Sequence, residues 1–143
     1  MKRMFLMVLG VSAALACGRN PDVVMTSRGE LKLTLPDAGM PVFEASHTFG
    51  SVKKGESATL TFQATNTGED ALDIRSVKIE TDAGDTGVFF VGGGTGSVNV
   101  GVSRAYSVTF NPVREGAYTG TLVFETNANS ERARLSLTGT GTP

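Results

Sequence analysis

Apolar and polar residues alternate with a period of two through most of the chain after residue 41, and this pattern limits the fold more than any other feature. In the stretch ATLTFQAT, residues 58–65, every second residue is apolar and the residues between are Thr or Gln. Successive side chains of a strand point to opposite faces, so the pattern predicts strands with one face on a core and the other in solvent. Similar alternation marks residues 98–102, 106–110, 118–124 and 133–137.

Turn-forming residues separate these segments. Gly, Pro, Asn and Asp clusters, which favour turns, occur at 53–55, 66–68, 82–85, 92–94, 111–116 and 127–129. In the stretch LDIRSVKIE the apolar positions change phase between Ile74 and Val77. The change predicts a bulge near Arg75–Ser76 or a strand that passes from one sheet to the other.

About seven short strands in about a hundred residues favour an antiparallel β-sandwich of the immunoglobulin type, with a closed barrel of the same strand count as the alternative. The 143 residues leave room for one such domain. The chain has a single cysteine, so no disulfide can join the sheets and packing alone must hold the core. The predicted core includes Phe49, Leu60, Phe62, Phe110, Leu122 and Phe124.

The first sixteen residues have the pattern of an export signal. Lys2 and Arg3 precede an uncharged run from Met4 to Ala16, which ends in small residues. This run is too short to cross a membrane permanently. Residues 1–16 are therefore predicted to be a signal peptide.

Cys17 follows this leader directly, and the sequence Ala14-Leu15-Ala16-Cys17 resembles a bacterial lipobox. The resemblance implies cleavage between Ala16 and Cys17 and a lipid on Cys17, where each buried methylene contributes about 0.8 kcal/mol to membrane binding. By resemblance to Gram-negative lipoproteins, Gly18 in place of aspartate implies the outer membrane, with the domain facing the periplasm or the surface. The alternative is a plain secretory signal, although a lone cysteine in an exported protein has no disulfide partner.

Residues 17–41 are predicted to be an acylated N-terminus and a flexible tether, followed by the folded domain at 42–141. Three prolines interrupt the segment, and it contains few large apolar groups. Leu31, Leu33 and Leu35 alternate with polar residues, which leaves open a short additional strand.

The predicted domain contains five short motifs, FGSVKKGES at 49–57, NTG at 66–68, VTFNP at 108–112, GAYTGTLVF at 116–124 and LTGTG at 137–141. In order and spacing these motifs resemble the ASH/Hydin-type immunoglobulin-like domain, which occurs in bacteria as the choice-of-anchor D module. The resemblance covers residues 42–141. It implies an immunoglobulin-like fold and a binding or scaffolding role, without shared catalytic residues.

Candidate catalytic and metal-binding residues are few, and the sequence predicts no enzyme, cofactor or metal site. His47 is the only histidine, and it is predicted to be a partly exposed residue of the first strand. The stretch VGGGTGSV lacks the Gly-Lys-Ser/Thr ending of a phosphate loop and is predicted to be a flexible hairpin loop. Glu80, Asp82 and Asp85 are predicted to form a solvated acidic turn, since they lack EF-hand spacing.

These features favour a lipid-anchored, non-catalytic module of the cell envelope that binds or scaffolds another envelope protein. An unpaired strand edge suits such binding, because its N–H and C=O groups can accept a strand from a partner. Candidate edges are the first strand, Val42–Phe49, and the last, Arg132–Thr138. Arg132 and Arg134 would place positive charge on the outer face of that last strand, which equally fits a role in preventing aggregation.

Two other classes of partner are weighed. The formal net charge of −1 gives no basic surface for nucleic acid, so no nucleic-acid partner is predicted. The alternative function is carbohydrate or cell-wall binding through the Gly-rich and Asn-rich loops. Sugar sites usually use an exposed aromatic platform, whereas this chain has no Trp and its Tyr106 and Tyr118 are predicted to face the core.

Overall fold

The computed structural model describes residues 29–83, 86–128 and 132–143. The predicted signal peptide, Cys17 and the first part of the tether lie outside the described residues. Within these ranges no helix is long and apolar enough to cross a membrane. The described strands are β1 Leu31–Thr34, β2 Glu44–Lys53, β3 Ala58–Asn66, β4 Leu72–Ala83, β5 Phe89–Gly92, β6 Gly96–Val98, β7 Ser103–Phe110, β8 Gly116–Thr126 and β9 Arg134–Thr142.

The strands form two sheets that pack face to face as a sandwich. One sheet has the strand order β1-β3-β7-β5, and the other has the order β2-β9-β8-β4-β6. All neighbours are antiparallel except β2 and β9, which are parallel. The predicted immunoglobulin-like sandwich is confirmed. The described part holds nine strands rather than about seven, because the additional strand left open at Leu31–Leu35 is present as β1 and because β5 was not predicted.

Strand β1 extends the folded domain beyond its predicted start. Leu31 and Leu33 are 2% and 0% exposed, and β1 pairs with the end of β3. The backbone of Gly29 already packs against Leu72, since a Cβ at Gly29 would come within 2.9 Å of the leucine side chain. Residues 29–41 are therefore part of the sandwich and not of a tether. Burial of each leucine side chain stabilises this arrangement by about 1.5–3 kcal/mol.

Strand β4 changes register against β8 twice. The first shift lies between Ile74 and Ser76, where the sequence pattern changes phase, so the predicted bulge at Arg75–Ser76 is confirmed. A second shift lies between Thr81 and Ala83. Between the two bulges β4 pairs regularly with β8.

Aromatic side chains from both sheets fill the centre of the core. Phe62, Tyr106 and Phe124 contact one another with ring centroids 5.0 to 6.4 Å apart. Phe110 stacks on Phe89 at 5.0 Å. Among the predicted core residues, those that are buried are Leu60, Phe62, Phe110, Leu122 and Phe124, while Phe49 is half-buried.

Asn66, in the NTG turn, is a fully buried polar residue. Its Oδ1 accepts hydrogen bonds from the N–H groups of Glu30 and Gly68, and its Nδ2 donates to the carbonyls of Asp70 and Val98. A buried amide without such partners would be destabilising by about 1–3 kcal/mol. These bonds connect the residue before β1 with the turn before β4 and with the end of β6.

The last strand is not a sheet edge. Strand β9 lies between β2 and β8, so the prediction of an edge at Arg132–Thr138 is wrong. Leu135 and Leu137 are 0% and 1% exposed, and Gly139 lies against Phe110, where a Cβ would come within 2.5 Å of the ring. Alternation alone does not reveal this position, because edge strands and central strands with one solvated face share the same period.

The alternation at 98–102 also does not continue as a strand. Strand β6 ends at Val98, and Val100 and Val102 are 52% and 48% exposed in the connection to β7. Gly101 has a φ of +74°, a conformation that turns the chain and that glycine adopts most readily. The turn therefore ends the strand despite the apolar alternation.

Candidate functional site

Strand β2 leaves one edge unpaired among the described strands. It is the end strand of its sheet and pairs with β9 on its other side, from Glu44 to Lys53. The predicted edge at Val42–Phe49 is therefore confirmed in position. Val42 itself bridges to Leu33 of the other sheet, so the free edge begins at Glu44.

The outer side chains of this edge are small and polar. Ser46 and Thr48 are exposed, and Thr48 Oγ1 lies 2.9 Å from Thr138 Oγ1 on β9. A bulge follows between Thr48 and Ser51, where Gly50 has a φ of +71°. The regular part of the edge is therefore residues 44–48.

His47 points from β2 towards the core and is half-buried. Its ring meets that of Phe49 edge to face, with centroids 4.7 Å apart, and Phe49 in turn contacts Phe110 at 5.5 Å. These are the contacts of a packed strand residue, as predicted for His47.

Arg132 and Arg134 are both exposed, but neither lies on a free edge. Within β9, Arg134 is opposite Glu44 of β2 on one side and Val123 of β8 on the other. Strand addition at this position is excluded because both neighbouring places are occupied.

A polar cluster lies on the outer face of the sheet beside Arg132. Lys78 Nζ lies 3.4 Å from Glu125 Oε2, and the Ser76 hydroxyl donates to the same oxygen at 2.8 Å. The Ser76 hydrogen bond is the first cause of a lowered pKa at Glu125, followed by Lys78 and, more weakly, Arg132. Since both members of the ion pair are exposed, the pair contributes little to stability.

The glycine-rich stretch between β5 and β6 crosses from one sheet to the other, so the prediction of a flexible hairpin loop is wrong. The Tyr106 hydroxyl donates to the carbonyl of Gly94 at 2.6 Å, and burial raises the pKa of this hydroxyl. The Arg104 guanidinium donates to the carbonyls of Gly94 and Thr95 in this stretch and to that of Ser97 in β6, at 2.7 to 3.3 Å. Gly93 packs so closely on Tyr106 that a Cβ there would overlap the ring.

Potential metal ligands are scattered in the described part of the chain. Across residues 29–83, 86–128 and 132–143, no group of three or more His, Cys, Asp or Glu side chains could hold a metal ion. Glu80 and Asp82 lie on β4 and not in a loop, and Asp82 accepts a hydrogen bond from Thr121 at 3.1 Å. Asp85 lies outside the described residues.

Two further predicted features have different outcomes. Tyr106 and Tyr118 are 2% and 3% exposed, which confirms that both face the core. Ala16 and Cys17 lie outside the described residues, so cleavage and lipidation remain predictions.

A cleft of about 630 Å³ opens between β4 and β5. Its apolar lining comes from Val77, Ile79, Phe89 and Val91, and the neighbouring Phe90 is 54% exposed. Sequence reasoning missed this surface because it missed β5. The signal was present as four consecutive large apolar residues at 88–91, a pattern typical of a strand that is apolar on both faces.

Comparison with known proteins identifies the fold. The family model for HYDIN/CFA65/VesB-like Ig-like domains matches residues 41–140. No curated protein sequence matches the chain. Strand β1 precedes the matched region.

Several solved structures resemble the sandwich. The PapD-like domain 7 of human CEP192, an ASH domain, is 16% identical with a TM-score of 0.60, and the match covers 95% of this chain and 98% of that domain. A protein of unknown function from Porphyromonas gingivalis W83 is 12% identical with a TM-score of 0.61, over 85% of this chain and 51% of the other. The secreted serine protease VesC from Vibrio cholerae is 16% identical with a TM-score of 0.51, over 68% of this chain and 22% of the protease.

Proposed function

The chain belongs to the HYDIN/CFA65/VesB-like family of immunoglobulin-like domains, and we propose that it is a membrane-anchored lipoprotein whose sandwich is a non-catalytic protein-interaction or scaffolding module of the cell envelope. The family and the ASH-type fold support an interaction module. The match to VesC covers only about a fifth of that protease, so the activity of VesC gives no support for catalysis here.

The free edge of β2 is the observation that carries the interaction role. Its residues 44–48 offer a regular row of main-chain donors and acceptors, and the exposed Ser46 and Thr48 leave room beside them. Main-chain hydrogen bonds would supply the affinity when an extended segment of a partner adds to this edge. The envelope protein that binds is therefore expected to contribute a strand.

The lipid anchor is supported by the sequence around Cys17. Lys2 and Arg3, the uncharged run and the lone cysteine after Ala16 fit a lipoprotein signal, and several acyl chains on one residue suffice for stable anchoring. Eleven residues, 18–28, separate Cys17 from Gly29, where the described sandwich begins. The anchor would thus join the domain beside β1, with Gly18 pointing to the outer membrane.

Carbohydrate or cell-wall binding remains a second candidate because of Phe90. This ring is 54% exposed on β5, and its register partner is Thr109 on the outer face of the same sheet. An exposed ring beside hydroxyl groups suits a sugar face. Co-sedimentation with purified peptidoglycan, lost in Phe90→Ala, would support this candidate, whereas no co-sedimentation of the wild type would remove it.

The anchor is tested by metabolic labelling with an acyl-chain analogue in cells that produce the wild type or Cys17→Ala. We expect label on the wild type only, because the sulfur of Cys17 receives the lipid. Protease treatment of intact cells then separates a surface domain, which is cleaved, from a periplasmic one, which is protected. Absence of label on the wild type would contradict the anchor.

The interaction edge is tested by a photo-crosslinking side chain placed at Ser46 or Thr48, with Gln63 as the matched control. Gln63 is exposed on β3, but it is opposite Thr34 of β1 on one side and Ala105 of β7 on the other. We expect a discrete crosslinked envelope protein from positions 46 and 48 and none from 63. Equal crosslinking from all three positions would contradict binding at the β2 edge.

A further inference from the structure

Part of strand β4 has an edge that no described strand pairs with, and this edge is separate from that of β2. On this side β6 covers only the first part of β4, from Leu72 to Ile74. Beyond the bulge at Arg75, β4 pairs with β8 on one side, and no described strand pairs with it on the other. The free edge runs regularly from Ser76 to Thr81, up to the second bulge.

The core side of this edge is apolar and incompletely covered. Val77 and Ile79 are half-buried and line the cleft of about 630 Å³ together with Phe89 and Val91. Phe90 beside them is 54% exposed. An apolar surface next to an unpaired strand edge is a ready site for another strand.

The charged side chains on the outer face of this edge indicate which strand can pair with it and in which register. When two copies of β4 pair antiparallel, residues directly opposite each other have their side chains on the same face of the sheet. Val77 and Ile79 of both copies therefore stay on the core side only if opposite residues both have even numbers or both have odd numbers. In the register that places Ile79 opposite Ile79 of the second copy, Lys78 is opposite Glu80 of that copy. The two-fold symmetry places Glu80 opposite Lys78 of the second copy in the same way. Centring on Lys78 or on Glu80 instead places two like charges opposite each other, which is destabilising.

We propose that two copies of this chain associate through their β4 edges in the register centred on Ile79, so that the two five-stranded sheets become continuous. Both copies use the same surface in this contact, and a two-fold axis relates them, as in most homodimers. The bulges at both ends of the free edge limit the pairing to the segment between them. This association does not depend on the lipid anchor or on the β2 edge.

Disulfide trapping of the full-length chain in isolated membranes tests the register. In the proposed pairing Ile79 is opposite itself, whereas Val77 is opposite Thr81, so a symmetric disulfide is expected from Ile79→Cys and not from Val77→Cys. The unchanged chain controls for crosslinking through Cys17. A crosslink from Val77→Cys alone would overturn the proposed contact, and so would the absence of a crosslink from both variants.

A charge exchange tests the same contact without cysteine. In sedimentation velocity of the detergent-solubilised chain, Lys78→Glu and Glu80→Lys should each weaken association by roughly tenfold, because both symmetric pairs become repulsive. The double variant should restore it. Thermal unfolding verifies that all three variants fold, and Glu80→Lys leaves the Lys78–Glu125 pair intact. A wild type that stays monomeric, a double variant without rescue, or capture of a different protein at this edge would overturn the proposal.

Discussion

The two sides of the sandwich, where the ends of its sheets meet, differ in how the core is covered. On one side the connection from β1 to β2 closes the gap, because Val42 in this connection exchanges backbone hydrogen bonds of 2.7 and 2.8 Å with Leu33 of β1. Lys32 also lies 4.9 Å from the centroid of the Phe43 ring. On the other side Phe90 is exposed and the cleft between β4 and β5 stays open.

The difference follows from chain connectivity. Only nine residues join β1 to β2, so the chain must pass directly over the side that it seals. On the other side the sequence changes sheet at each strand, because β5 lies in one sheet while β4 and β6 lie in the other. The sealed side is therefore expected to contribute more to stability than the open side, which carries the proposed pairing of two copies through β4.

The largest expected effect is on the sealed side. Leu33→Ala should lower the free energy of unfolding by about 2–5 kcal/mol, since this side chain is fully buried. Ile79→Ala, the matched change on the open side, should cost clearly less because Ile79 is only half-buried. Urea denaturation measures the free energy of unfolding of both variants. Equal losses in the two variants would contradict a difference in stability between the two sides.

The next effect concerns the buried amide that holds β1 in place. Asn66→Ala should destabilise the domain by about 2–3 kcal/mol, because it leaves buried backbone groups without partners. Asn66→Asp should recover part of the loss, since its carboxylate can still accept from Glu30 and Gly68 but cannot donate. Denaturant midpoints compare them, and equal losses in the two variants would contradict a role for the acceptor bonds.

A smaller effect is expected at the crossing beside the cleft. Gly93→Ala should cost about 1–3 kcal/mol, because Gly93 has a φ of +144° and a Cβ there would strike Tyr106. Gly94→Ala is the matched control, since a Cβ at Gly94 has nothing within 4 Å. A thermal melt that falls equally for both would show that Tyr106 does not fix the crossing.

The smallest effect is the pH dependence of the sealed side. The Thr67 hydroxyl donates to Glu30 at 2.7 Å, and this bond, with Lys32 at 3.2 Å, lowers the pKa of Glu30 from 4.5 although partial burial opposes the shift. A lowered folded pKa stabilises the protein above the unfolded value, and the gain is lost as the pH falls through the folded pKa. Wild type should therefore melt above Glu30→Gln at pH 7, with the gap closing below pH 4.5. A gap that is constant with pH would contradict this.

The sequence predicts the local features of this fold better than the distant ones. The phase change in β4 marks the bulge at Arg75, and alternation marks the buried face of β3. Alternation does not show which strands are neighbours, so the parallel pairing of β2 with β9, and with it the central place of Arg134, could not be foreseen. The open side was missed because Phe89 and Phe90 are adjacent, and a short apolar run has no period.

Hydrogen exchange of the full-length chain at low and high protein concentration compares the two sides directly. If the open side pairs with a second copy, the amides of residues 76–81 should exchange more slowly at high concentration, while those of β1 stay equally protected at both. Unchanged exchange at residues 76–81, or a change confined to β1, would contradict the proposed association of two copies at the open side.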